Sequence, residues 1–162
     1  MTPGIPDLCR GLYLANYVAK QTKVEIISWK GRCEVHEEFS GEEIRAFRGS
    51  MGEIVIVAHP ECPPDVIEAA DFTGSTAEMT NYVRERRPPK VLLLTECSMS
   101  DNIAAELPEV EFLRPCGLCP HMKRITLPKI RRALETMSPE VLVDPTTAAR
   151  ARAAVERMLA IV

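Results

Sequence analysis

"EIVIVAHPECPPDVIEAADFTGST", residues 53–76, is the stretch on which the fold turns. Its first part, "EIVIVAHP" (53–60), is a β-rich run too apolar for a strand with one face in water. Pro63 and Pro64 then open "PPDVIEAA", in the first-turn position where helices tolerate proline. The chain returns in a short β segment, "DFTG", which runs directly into the helix start "ST". A strand buried on both faces and followed by a helix is one repeat of a parallel sheet covered on both sides.

The alternation extends outward in both directions. "VEIISW" (24–29), "KVLLLTE" (90–96) and "EVEFLRP" (109–115) read as further strands. Between them, "SGEEIRAFRG" opens with Ser40 as N-cap and has Glu43 at the capping-box spacing. "GSTAEMTNYVRERRPP" has Ser75 or Thr76 at its start, arginines in its last turn and prolines beyond. "TLPKIRRALETM" and "TTAARARAAVERMLAIV" predict a helical tail, joined through "EVLVD". The expected fold class is α/β, a three-layer α/β/α sandwich with a mainly parallel sheet.

Composition narrows the function classes. A net charge of −3 gives no reason to expect a nucleic-acid or membrane surface. "MTPGIPDLCRG" lacks the basic start and apolar core of a signal peptide, and the apolar runs are too short to span a bilayer. The expected compartment is the cytoplasm. Six cysteines in a reducing compartment point to ligands, reactive groups or inert buried thiols before disulfides.

Ligands of doubly wound sheets bind at the carboxyl ends of strands, where helix N-termini present free N–H groups. Five strand exits carry the chemistry-bearing residues. "KGRCEVHEEF" places Cys33 and His36 three apart, sharing a site or pointing to opposite faces of a turn. "HPEC" puts His59 and Glu61 at a strand end, as an acid–base couple, a clamp for a substrate carboxylate, or a histidine satisfied by backbone. Ser75 and Thr76 cap a helix or receive a carboxylate or phosphate. "TECSMSDN" follows the strand at 90, and "RPCGLCPHM" holds Cys116 and Cys119 as a single CxxC. Zinc usually needs a second such pair; His121 and His36 are the other candidates, and a redox dithiol or a plain turn remain open.

Taken in order, "WKGRCEVHEEF", "VAHPECPPDVIEAADFTGST", "TEC" and "CPHMKRITL" resemble quinolinate synthase, the cluster enzyme of NAD biosynthesis. The resemblance runs from "PDLCRGLYLANYVAKQT" to "AVERML", essentially the whole chain. It implies a transferase that condenses iminoaspartate with dihydroxyacetone phosphate to quinolinate, using a 4Fe-4S cluster. In that family three cysteines hold three irons and the fourth iron acts as a Lewis acid. Carried over by motif, Cys33 and Cys119 are cluster ligands, with Cys116 a redox neighbour able to pair with Cys119. His36, His59, Ser75 and Thr76 grip substrate carboxylates and phosphate, with His36 and Glu61 as catalytic groups and Glu61 the proton-transfer group. Cys62 and Cys97 sit near the site without a matching ligand role, and Cys9 reads as structural. L-Aspartate oxidase is among the partners the resemblance implies.

Members of the family are roughly twice as long, with three similar α/β/α domains each giving one cysteine. By this resemblance residues 1–33 are the end of the second domain, 34–118 a complete third domain, and 119–162 a mostly helical segment packing back on the assembly. The first domain and its cysteine have no counterpart here, so the expectation is a truncated or mis-started product, or one part of a split enzyme, inactive alone. The competing expectation is a stand-alone metal-binding or thiol-redox module using Cys116 and Cys119.

Overall fold

The structure is a computed structural model and describes residues 7–9, 11–28, 30–113, 115 and 117–161. Its centre is a four-stranded parallel sheet of β3 (Val55–Ala58), β4 (Phe72–Thr73), β5 (Lys90–Leu94) and β6 (Glu111–Leu113), in the order β4-β3-β5-β6. The register pairs Val55 with Val91 and Ala58 with Leu94 across the central strands. Lys90 pairs with Glu111 on one side, and Val57 with Phe72 on the other.

Successive side chains of a strand point to opposite faces, so each central strand feeds two cores. Ile56, Ala58, Leu92 and Leu94 pack with Phe39, Ile44 and Val66. Val57, Val91 and Leu93 pack with Met79, Val83, Ile103 and Leu107. The first core is closed by α3 (Gly41–Met51) and α4 (Pro64–Ala69), the second by α5 (Thr76–Arg86) and α6 (Cys97–Glu106). Ile56, Val57, Leu92, Leu93 and Leu94 are wholly buried, and each such side chain contributes roughly 1.5–3 kcal/mol. The protein is therefore a three-layer α/β/α fold with a parallel sheet, as the apolar strands predict.

Local signals also hold. Ser40 caps α3 by accepting the Glu43 N–H at 3.3 Å. Ser75, rather than Thr76, caps α5 through a reciprocal capping box with Glu78. At the other end of α5, Arg87 adopts a left-handed φ of 43° just before Pro88 and Pro89 end the helix. α6 follows the "TEC" exit, where the sequence reading names no helix, and a single turn, α2 (Glu34–Glu37), follows Cys33.

Ahead of this sandwich, β1 (Asp7–Cys9) and β2 (Ile26–Ser28) form a separate two-stranded parallel sheet, connected by α1 (Leu12–Ala19). The amide of Leu12 donates to Gly31 O at 2.9 Å, and the Tyr17 hydroxyl donates to Thr73 O at 3.2 Å. The chain divides into two compact units, residues 1–120 and 121–162. The second contains a short 3-10 turn (Met122–Arg124), α7 (Leu127–Thr136) and α8 (Pro145–Leu159). No described helix is long and apolar enough to cross a membrane.

Candidate active site

The site is assembled where β3 and β5 end. Cys33 is the N-cap residue of α2, and its carbonyl accepts the Glu37 N–H at 3.0 Å. Val35 is buried at 3% exposure and anchors the turn, and the same turn buries His36. The His36 ring reaches β5, with Nε2 3.2 Å from the hydroxyl of Thr95, itself buried.

β3 delivers the second half. The His59 amide donates to Leu94 O at 3.2 Å, which continues the β3–β5 ladder one residue past the strand. The chain then turns tightly, with the Cys62 N–H on His59 O at 2.9 Å and the Glu61 N–H on His59 Nδ1 at 3.3 Å. Because Nδ1 accepts, a neutral His59 carries its proton on Nε2. The His36 and His59 rings stack at a centroid distance of 4.7 Å and an interplanar angle of 16°.

Glu61 lies against both rings. Its Oε2 is 3.4 Å from His36 Nδ1 and 3.8 Å from His59 Nδ1. The contact with His36 falls short of hydrogen-bond geometry, so Nδ1 is a buried nitrogen without a hydrogen-bond partner. The contact with His36 is nonetheless the main influence holding the Glu61 carboxyl below the usual carboxylate range, against the opposing effect of its partial burial. Burial, and then the nearby His36, push the His59 ring below its ordinary value, outweighing the attraction of Glu61. At neutral pH the site thus presents an ionised carboxylate beside a neutral His59.

The thiols differ sharply in availability. Cys33 and Cys119 are free and partly exposed. Cys62 is wholly buried, donates to Leu94 O at 3.5 Å, and is pushed up to about 12, chiefly by burial. Cys97 is disulfide-bonded, its partner lying outside the described side chains. The expectation for Cys116 lies outside the described residues; Cys119, its expected redox partner, is a free thiol.

Cys33, His36, His59 and Glu61 are brought together. Cys119 is tied to the same strand end by another route, since its N–H donates to Glu96 Oε1 at 3.4 Å. The other carboxylate oxygen of Glu96 caps α6 by accepting the Ser98 N–H at 2.7 Å. Ser75 and Thr76 stand one strand over, where Gly74 N–H meets Ala58 O at 3.2 Å. Both are exposed, and the Ser75 hydroxyl is engaged in its cap.

Two buried residues were not singled out from sequence: Thr95, which orients His36, and Glu96, which holds the Cys119 amide. The signal for both was their place at the exit of β5.

Residues 5–160 match the sequence model of a family described as quinolinate synthetase A protein. The chain is 62% identical over 149 residues to a quinolinate synthase of Agrobacterium fabrum, covering 92% of this chain and 43% of that protein. It is 63% identical over 147 residues to quinolinate synthase 1 of Mesorhizobium japonicum, covering 91% of this chain and 45% of that protein. Against a quinolinate synthase of Caulobacter vibrioides the identity is 50% over 147 residues, covering 91% and 40%. The chain therefore spans less than half the length of these relatives.

Proposed function

Because the chain belongs to the quinolinate synthetase A protein family, we propose that it forms the C-terminal part of a quinolinate synthase, which condenses iminoaspartate with dihydroxyacetone phosphate. The observation that supports this most is the convergence of Cys33, His36 and Glu61 at the ends of β3 and β5. Atom balance requires the condensation to release phosphate and two waters, so protons must leave carbon and reach departing oxygens. Glu61 suits proton acceptance, since it is ionised, half-buried and set against neutral imidazole. In this reading His59 offers its Nε2–H to substrate carboxylate or phosphate, with the His36 ring stacked against it. In this reading Ser75 and Thr76 supply the second anion contact at the start of α5, as its free N–H groups would.

The 4Fe-4S cluster implied by the resemblance would supply a Lewis acid for substrate oxygen. The thiols present do not fit it by themselves. A cluster held by three thiolates needs three, whereas Cys33 and Cys119 are the partly exposed free thiols among the described residues. Cys62 is buried as a protonated thiol and Cys97 is committed to a disulfide. We infer that the remaining ligand belongs to the part of the enzyme that this chain does not span.

The test is anaerobic reconstitution with iron and sulfide, followed by a quinolinate assay with and without the remaining part of a close relative. Activity is expected only when both parts are present. Turnover by the 162 residues alone would overturn the requirement for a second part, and absence of turnover with both would overturn the functional reading.

A further inference from the structure

The ligand atoms of Cys33, His36 and Glu61 all lie within 4.8 Å of one another. Among the described residues, this is the group of Cys, His, Asp and Glu side chains that converges in this way. We propose that these three side chains form a mononuclear site for a zinc-type divalent cation, with water as the fourth ligand, in a chain that carries no cluster.

Four observations carry this. The first is spacing. Ligands about 2.0–2.3 Å from a tetrahedral zinc lie roughly 3.3–3.8 Å from each other. His36 Nδ1 and Glu61 Oε2 are already at 3.4 Å. Closing the widest pair of the triad takes about 1 Å, within reach of the partly exposed side chains of Cys33 and Glu61.

The second is the orphaned nitrogen. His36 is 6% exposed and its Nδ1 has no hydrogen-bond partner, yet it faces a carboxylate oxygen. A lone pair and an anionic oxygen repel unless a cation or a proton lies between them. The third is the other side of the ring. Metal-binding histidines usually hold their second nitrogen on an acceptor, which fixes tautomer and orientation. Thr95 Oγ1, 3.2 Å from Nε2, is placed to be that acceptor, in the tautomer that makes Nδ1 the lone pair.

The fourth is charge. The ion-pair contacts of Glu61 among the described residues are to the two histidines, with no lysine or arginine at hand. One thiolate, one carboxylate and a dication sum to zero, which suits a half-buried site. His59 is excluded from the ligand set because its Nδ1 already accepts the Glu61 amide. One thiolate with one imidazole and one carboxylate is a borderline donor set, matched to a single zinc-type ion rather than to an iron–sulfur cluster.

Cobalt(II) titration of the reduced, metal-free 162-residue chain tests the proposal, with zinc displacement as a second readout. Expected are one cobalt per chain, tetrahedral visible bands, a thiolate charge-transfer band, and loss of all three on adding zinc. Cys33→Ser should abolish the charge-transfer band, and Glu61→Gln should weaken binding at least tenfold. Thr95→Val, which touches no metal, should weaken it by about 10–100-fold. Circular dichroism identifies which variants are folded, and Cys33→Ser, at a partly exposed thiol, is the one least able to disturb packing. No saturable cobalt spectrum, or a charge-transfer band that survives in Cys33→Ser, overturns the proposal; the second result would assign the ion to the CxxC pair. Neither quinolinate nor a second polypeptide enters the titration, so its failure and failure of the functional reading are separately visible.

Discussion

Glu61 and His59 share a four-residue turn, and their opposite charge preferences make the site sensitive to acid. The folded chain holds the Glu61 carboxyl below its ordinary value of 4.5, first through His36. Its contribution to stability is complete above that value and is lost as pH falls through the lower folded one. His59 is held below its ordinary 6.5, first by burial, so the unfolded chain takes up that proton more readily than the folded one. That contribution is complete above about 6.5 and declines as pH falls below it. Both effects have the same sign. The urea midpoint should therefore drop on acidification from pH 7.5 to 5, and less steeply in His59→Gln. Glu61→Gln keeps the side-chain size and removes the proton acceptor. In the complemented enzyme it should lower quinolinate formation by about 10²–10⁴-fold, the usual worth of a positioned acid–base group. A rate within twofold of the parent would remove Glu61 from that role.

At the scale of elements, the sheet and the helices are stabilised by different kinds of contact, which predicts different costs. Leu93 lies on the central strand β5, is wholly buried, and packs in the core beneath α5 and α6. Leu93→Ala should cost about 2–5 kcal/mol through lost burial and the cavity left behind. Ser75 is exposed and acts through a cap, so Ser75→Ala should cost about 0.5–2 kcal/mol. Urea unfolding of the two variants checks the order. The same distinction explains what could be read from the sequence. "IVIVA" and "VLLL" are apolar at every position, and that pattern has few solutions other than a strand covered on both faces. "CSMSDNIAAE" contains Ser, Asp and Asn, which compete with helical backbone, and its N-cap is a glutamate. Helix α6 is held instead by Ile103, and by Leu107 just past its end, packing on the sheet, a tertiary cause that a short window does not display. Cys33, His36, His59 and Glu61 could be found as strand exits, but their convergence depended on a one-turn helix, α2, too short to leave a periodic signature. Thr95 and Glu96 look like any polar end of a strand until His36 and Cys119 are placed against them.

At the scale of the whole molecule, the free thiols among the described residues are sorted by depth. Cys33 and Cys119 are within reach of solvent, whereas Cys62 lies in the core between β3 and α4 with its sulfur on Leu94 O. Alkylation requires the thiolate and physical access, and the folded state denies both to Cys62. A thiol reagent added to the native chain should therefore modify Cys33 and Cys119 quickly, while Cys62 waits for the sandwich to open. Mapping the peptides of these three cysteines over time would give two phases, and denaturant should accelerate the slow one alone. A single cysteine supplied by the natural sequence thus serves as a clock for core opening, and no probe has to be engineered into the protein to read it.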